Sequence, residues 1–412
     1  MSFSKQTLPI VSVVGLGYIG LPTAVLIASS GYQVHGIDIN HTLLKTIQSG
    51  HAPFNEPQLE QLLEEVMVSG QLSVSDKIQP ADIYFICVPT PIVSAAAQIE
   101  PDLSHVLSAV RQITPLLKKG DTLILESTVP VGTTNRIQDM LAQTGIEKEA
   151  IFIAYCPERV IPGNIMHEIV NNDRIVGGVN PSSAKHIADF YRSFVIGEVF
   201  ETKAKVAEFC KLSENSYRDV NIAFANELSI LCENQGVNAL EVIALANRHP
   251  RVNIMQPGSG VGGHCIAVDP WFLVSGDADN AKLIRKAREV NNNKAAWAFE
   301  KVLSESTRFT DLHQREPNIV CCGLTYKPDT DDTRESPALQ ITSRLVEIYA
   351  NIKVCEPNLT EHRTFKISSM EQALQKADIV CILVKHKEFL TDNFMSLLGQ
   401  KRILDFCGAT FE

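Results

Sequence analysis

The run Ile10-Val11-Ser12-Val13-Val14-Gly15-Leu16-Gly17-Tyr18-Ile19-Gly20 sets how the chain begins to fold. A β-branched segment at 10–14 predicts a strand, the glycines at 15, 17 and 20 clear the turn that follows of side chains, and the pattern after Gly20 predicts a helix. A second strand predicted at 34–39 carries Asp38, about 20 residues beyond the glycines. Strand, glycine turn, helix and strand make a βαβ unit. Its glycines let backbone approach a pyrophosphate at the helix N-terminus, while an Asp carboxylate accepts hydrogen bonds from ribose hydroxyls and repels a 2′-phosphate. The pattern predicts NAD rather than NADP, although a tight strand-helix turn without a ligand would use the same glycines.

Outward from this unit, apolar runs at 82–88, 121–125, 151–155 and 174–179 alternate with helix-length amphipathic segments. That alternation predicts an α/β domain over 1–200, with a doubly wound, largely parallel sheet. From 201 the pattern becomes helical, and a stretch of over 30 residues runs without Pro or Gly until Gly236, a C-terminal stop. Such a helix bridges domains or dimerises. A Gly-rich segment at 256–264 predicts irregular backbone, a helix is predicted at 279–305, and the polar stretch 304–317 reads as a linker. The helical middle is therefore assigned 201–306. Strand signals at 318–324, 352–355, 378–384 and 402–406 predict a second Rossmann-like sheet domain over 307–412, and Asp82–Val88 is echoed by Asp378–Val384.

The 412 residues are 45% hydrophobic and 20% charged, which suits more than one folded core. A net charge of −10 argues against non-specific binding to nucleic acid or anionic lipid, so an anionic ligand must meet a local basic site. The pattern of residues 1–15 predicts a protein that is not secreted, and no uncharged apolar run reaches the roughly 18 residues of a membrane span. The ten cysteines form no CxxC and mostly sit in apolar runs, which predicts reduced thiols, a cytoplasmic protein and no metal site.

One cysteine stands apart. In Gln256–Pro270, Cys265 lies in a Gly-rich loop beside His264, with Asp269 four residues on, where exposed amides and nearby cations would raise the thiolate fraction. It reads as a nucleophile, with a small residue at a tight crossing as the alternative. Lys211, Asn215 and Arg218 share one helix face, as a solvated stripe would too. Arg248-His249-Pro250-Arg251 would suit a diphosphate. The loops Val88–Pro91 and Glu126–Thr133 close strands where ligands sit in open α/β sheets. Lys327–Pro337 follows a strand of the last domain and also reads as a capped helix start.

Taken together, GxGxxG with Asp38, VPTP at 88–91, ESTVPVGTT at 126–134, YCPERVIPG at 155–163, KLSENSYRDVNIAFANE at 211–227, NRHPRVN at 247–253, GVGGHCIAVDP at 260–270 and KPDTDDTRESP at 327–337 resemble the UDP-glucose/GDP-mannose dehydrogenase family. The resemblance covers nearly the whole chain. Arg159 and NRHPRVN resemble the members that oxidise UDP-N-acetylhexosamines, which implies UDP-N-acetyl-D-mannosamine as substrate, with UDP-N-acetyl-D-glucosamine or UDP-glucose as alternatives. Ser259 stands where many relatives have Pro, a departure expected to loosen the loop.

The implied reaction is a four-electron oxidation of the sugar C6 alcohol, using two NAD and one water. Cys265 is the implied nucleophile, Lys211 and Asn215 the oxyanion partners, Asp269 or Lys211 the source of the base, and Glu158 with Thr128 the activators of water. Carried over residue by residue, Gly15, Gly17, Tyr18, Ile19, Gly20, Asp38, Thr90, Thr128 and Arg334 contact NAD. Arg159, Val160, Lys211, Asn215, Arg218, His249, Arg251, Gly262, Tyr326 and Lys327 contact the nucleotide sugar. The family's two-fold interface implies a homodimer or higher homo-oligomer, with a cation from 248–251 completing the partner's site. Two readings compete: a two-electron hydroxyacid-type dehydrogenase without thiol chemistry, and a non-catalytic NAD-binding regulator.

Overall fold

The computed structural model describes residues 8–95, 98–263 and 265–411, so His264 lies outside the described residues. The chain divides into two compact units, Met1–Ser213 with Trp271–Gly276, and Glu214–Pro270 with Asp277–Glu412.

The first unit is built on strands β1 (Val11–Val14), β2 (Val34–Ile37), β3 (Leu72–Ser75), β4 (Ile83–Ile86), β7 (Thr122–Leu125), β8 (Phe152–Tyr155), β9 (Arg174–Gly178) and β10 (Val199–Lys203); β5 (Ile92–Ala95) and β6 (Gln98–Pro101) form a separate antiparallel pair. The eight-stranded order is β10-β9-β8-β7-β4-β1-β2-β3, parallel except between β8 and β9. Strands β1, β4 and β7 are buried on both faces, which is why they read as unbroken apolar runs. The sheet edges, β3 and β10, were not legible in the sequence, because half-exposed edge strands alternate with polar residues and lack such runs.

Strand order reverses between β1 and β4, and the glycine turn sits at that switch point. Gly15 has φ +94°, and a Cβ there would lie 2.7 Å from the Cys87 carbonyl oxygen. A Cβ on Gly20 would lie 1.8 Å from the Gly15 carbonyl oxygen, whereas one on Gly17 would meet nothing within 4 Å. Two glycines thus close the turn, and the third leaves its outer face open.

In the second unit, β11 (Ile319–Cys322), β12 (Ile352–Cys355), β13 (Ile379–Ile382) and β14 (Arg402–Asp405) form a parallel sheet in the order β12-β11-β13-β14. Side chains alternate between its faces: Ile319, Cys321, Ile379 and Cys381 pack with Phe299 and Val302, while Val320, Cys322, Val380 and Ile382 pack with Phe389 and Phe394. The cysteines of these runs are core residues.

The long helix runs Ala204–Asn234 and ends before Gly236, at φ +66°. The expected linker at 304–317 is instead largely helix, since Lys282–His313 is continuous. Ser306, Thr307 and Thr310 donate their hydroxyls to the carbonyls of Val302, Leu303 and Ser306, so residues that favour loops satisfy themselves within the helix. Glu305 also pairs with Arg402 at the start of β14, at 2.8 Å.

Gly20→Ala and Gly17→Ala should therefore separate folding from binding. The first forces backbone apart and is expected to destabilise by about 1–3 kcal/mol or more, read as a lowered melting temperature. The second should melt like the parent but bind NAD more weakly, and a normal melt for Gly20→Ala would contradict this assignment.

Candidate active site

In the first unit, the helix Gly20–Ser29 begins with no acidic residue in its first turn and no side-chain cap, so no side chain offsets the partial positive charge of its N-terminus. Asp38 accepts the Leu16 N–H on Oδ2 and the Asn40 N–H on Oδ1, each at 2.8 Å. The carboxylate is thereby fixed at the glycine turn, with lone pairs left for ribose hydroxyls. Tyr18 stacks on Phe54, ring centroids 4.2 Å apart. These residues fit a dinucleotide with a free 2′-hydroxyl.

Beneath the turn lies a buried polar cluster that the sequence reading missed. Glu126, at the end of β7, accepts the Tyr191 hydroxyl at 2.9 Å and the Thr23 hydroxyl at 3.3 Å, and lies 3.6 Å from the Arg174 guanidinium. Burial pushes its carboxyl above the ordinary value, against the pull of Arg174 and Tyr191. The Cys87 thiol donates to the same carboxylate at 3.4 Å, and burial with that negative neighbour drives the thiol pKa well up. Next along the chain, Ser127 donates to the Val88 carbonyl at 2.7 Å, tying the loop of Thr128 to the loop of Thr90. Both threonines are half-buried.

Lys211 is buried and donates to the Glu158 carbonyl at 2.6 Å, with Glu158 Oε2 3.7 Å away. Glu158 in turn accepts the Val160 N–H, and Arg159 donates to the Asp173 carbonyl at 3.0 Å. One helical turn before Lys211, Glu208 accepts the Thr134 N–H and hydroxyl at 2.8 and 2.7 Å and also the Gly132 N–H. Glu208 thus caps the helix Thr133–Gln143 and pins the Thr128 loop, a role that only its spacing from Lys211 on the long helix would have signalled.

In the second unit, Asn215 donates to Asp269 Oδ2 at 2.5 Å, and Asp269 is buried. The Asp269 N–H donates to the Cys265 carbonyl at 2.8 Å, so thiol-bearing loop, carboxylate and carboxamide form one connected group. Of the ten cysteines, Cys265 alone is exposed. The loop before it is packed tightly: a Cβ on Gly262 would lie 2.2 Å from the Glu335 carbonyl oxygen, and one on Gly263 would lie 2.7 Å from the Tyr326 ring. Gly262, Tyr326 and the Arg334 backbone are thereby brought together, since the Gly263 N–H also donates to the Arg334 carbonyl at 3.3 Å. Ser259 is buried and donates to the Leu383 carbonyl at 3.1 Å, so this departure anchors the loop and does not loosen it.

The Arg334 guanidinium rests on Asp332, with its Nη2 at 2.6 Å, and the Lys327 ammonium lies 5.7 Å from the Tyr326 ring centroid. Arg218 is exposed on the long helix. His249 accepts the Arg251 N–H at 3.3 Å, in a turn clamped by Asn247 and Ile254, which bond each other at 2.7 and 3.0 Å.

Fold and site together define an NAD-dependent α/β dehydrogenase. Models of the UDP-glucose/GDP-mannose dehydrogenase family match residues 10–195 (NAD binding domain), 205–293 (central domain) and 320–411 (UDP binding domain). The chain belongs to that family and is an NAD-dependent nucleotide-sugar dehydrogenase. It is 45% identical over 404 residues, 93% of this chain and 95% of the relative, to the UDP-N-acetyl-D-mannosamine dehydrogenase of Escherichia coli K12. It is 46% identical over 394 residues, 92% and 91% of the two chains, to the NDP-N-acetyl-D-galactosaminuronic acid dehydrogenase of Ralstonia nicotianae. The structure of the Pyrococcus horikoshii UDP-D-ManNAc dehydrogenase superposes with a TM-score of 0.89 at 40% identity, covering 97% of this chain and 96% of that one. Among the described residues, no helix is long and apolar enough to cross a membrane.

The exposure of Cys265 makes a direct expectation about reactivity. Brief treatment of native protein with iodoacetamide should modify Cys265 first, as read by peptide mass spectrometry, and buried Cys156 and Cys322 should react only after unfolding. Prior labelling of any other cysteine would contradict it.

Proposed function

We propose that the protein oxidises the C6 alcohol of UDP-N-acetyl-D-mannosamine to the uronate through a covalent intermediate on Cys265. The observation that carries this reading is the single exposed thiol, one turn from a buried Asp269 that is bonded to Asn215. Bound NAD would supply the hydride acceptor for each of two half-reactions. In the first, water held by Asp269, or the Lys211 amine, takes the O6 proton while C6 gives up one hydrogen as hydride, and an aldehyde is left. The Cys265 thiolate adds to the aldehyde carbon, and Lys211 and Asn215 donate to the resulting oxyanion of the thiohemiacetal. Loss of its C6 hydrogen as the second hydride leaves a thioester. Water activated by Glu158, with Thr128, attacks the thioester carbonyl, and the products are the carboxylate and the free thiol.

The nucleotide assignments keep the same division of labour. Gly15, Gly17, Tyr18, Ile19, Gly20, Asp38, Thr90, Thr128 and Arg334 hold NAD, and Arg159, Val160, Arg218, His249, Arg251, Gly262, Tyr326 and Lys327 hold the nucleotide sugar. The division into 1–200, 201–306 and 307–412 belongs to this reading, as do a reducing cytoplasm and a uronate destined for bacterial surface polysaccharide. A homodimer is supported by Tyr217, Phe224 and Leu231, which are exposed at seven-residue intervals on one face of the long helix. The galactosaminuronic acid dehydrogenase relative, as similar as the mannosamine ones, supports a second reading with the C4 epimer series as substrate.

The test is NADH formed per sugar consumed, with each UDP-N-acetylhexosamine epimer and UDP-glucose offered separately. Two NADH per sugar, with UDP-N-acetyl-D-mannosamine preferred, is expected, and Cys265→Ser should lose acid formation by about a thousandfold or more. Undiminished acid formation by that variant would refute the thioester route, and preference for another sugar would move the specificity alone.

A further inference from the structure

A buried histidine under the Lys327 loop has no place in the chemistry above. His386 follows β13, is fully buried, and lies edge-on to Phe389 with ring centroids 5.5 Å apart. Its Nδ1 accepts two N–H donors, the Asp329 backbone at 3.0 Å and the Asn358 carboxamide at 2.9 Å. A nitrogen that accepts twice carries no proton, so the ring hydrogen is on Nε2, which donates to Glu356 Oε2 at 3.1 Å. Glu356 is itself buried at the end of β12 and accepts the Leu324 N–H at 2.7 Å and the Asn358 N–H at 2.9 Å. The imidazole therefore bridges a strand-end carboxylate and the loop that follows β11.

The loop depends on that bridge. Asp329 is a non-glycine residue in the left-handed region, φ +55°, a conformation that persists only where neighbours determine it. Its N–H is held by His386, its Oδ1 accepts the Lys387 N–H at 3.0 Å, and Thr325 donates its hydroxyl to the Lys327 carbonyl at 2.9 Å. The chain is fixed on both sides of Lys327. Among the described residues, Asp329, His386 and Glu388 also bring possible metal-ligand atoms within 4.8 Å of one another. The Nδ1 lone pair is already committed to two N–H donors, which argues for a hydrogen-bonded latch in place of a cation site.

We propose that His386 is a positioning residue for nucleotide recognition: by accepting the Asp329 N–H it holds residues 324–332 in the conformation that presents Tyr326 and Lys327 to the uridine diphosphate group. This rests on the reading of Lys327 as a nucleotide contact. The full-length protein is titrated with UDP and, separately, with NAD in a calorimeter, as wild type and as His386→Ala, His386→Asn, His386→Gln and Lys327→Met, with steady-state rates in parallel. The Asn carboxamide oxygen takes the place of Nδ1, whereas the Gln carboxamide reaches only the place of Nε2. We expect His386→Ala and His386→Gln to weaken UDP binding and raise KM for the UDP-sugar by about tenfold or more, with kcat within about threefold and NAD binding unchanged. His386→Asn should return UDP affinity to within about threefold of wild type, which a purely structural role would not require. Should the alanine variant fold poorly, the comparison of Asn with Gln decides. Equal UDP affinity in the Asn and Gln variants would overturn the proposal. Unchanged UDP affinity in Lys327→Met would remove the reading of the loop beneath it, while weak binding by Lys327→Met with normal binding by His386→Gln would remove the role of His386 alone.

Discussion

A buried polar side chain needs a partner, and several on the helix Ala204–Asn234 find theirs far away in sequence, in loops or on the helix Lys282–His313. Glu208 holds residues 132–134, Lys211 holds the Glu158 carbonyl, and Asn215 holds Asp269. Farther along, Asp219 pairs with the buried Arg288 at 2.6 Å, and Asn226 accepts the Gly258 N–H at 2.9 Å. A buried donor or acceptor left without a partner costs about 1–3 kcal/mol, and a buried charge costs more. The helix therefore sets these loops far more rigidly than apolar contacts alone would. Its own amphipathicity is weak for this reason: many of its inward positions are polar, and several outward ones, Phe224 and Leu231 among them, are apolar.

The same economy governs the thiols. Nine cysteines lie partly or fully buried, and burial drives up the thiols of Cys87, beside Glu126, and Cys156. Cys265 sits instead on a loop whose glycines pack against Tyr326 and Glu335, so the backbone is fixed while the side chain stays exposed. A fixed backbone with an exposed thiol is the arrangement that the proposed role of Cys265 as nucleophile calls for.

The features legible in the sequence are those whose cause is local. The glycine turn, Asp38 and the buried strands β1, β4 and β7 follow from short-range sterics and from burial on both sheet faces, and each lies where the pattern predicted. The buried roles of Glu126, Glu208, Glu356 and His386 were not legible because their partners are remote: Glu208 meets Thr134 74 residues away, and His386 meets Asp329 57 residues away. No spacing rule reaches that far. The mistaken linker at 304–317 has the opposite origin, since Ser306, Thr307 and Thr310 look like loop residues until their hydroxyls are seen to bond within the helix. Ser259 was misjudged in the same way, because its anchor, the Leu383 carbonyl, lies 124 residues on.

The central claim is that the sugar becomes covalently attached to Cys265 on its way to the acid. Acid quenching of the enzyme during turnover with NAD and UDP-N-acetyl-D-mannosamine, followed by peptide mass spectrometry, tests it most directly. The account predicts a Cys265 peptide heavier by the substrate less four hydrogens, the mass of a thioester. Quenched enzyme that is forming acid at full rate, with Cys265 unmodified and the adduct on no peptide, would contradict it.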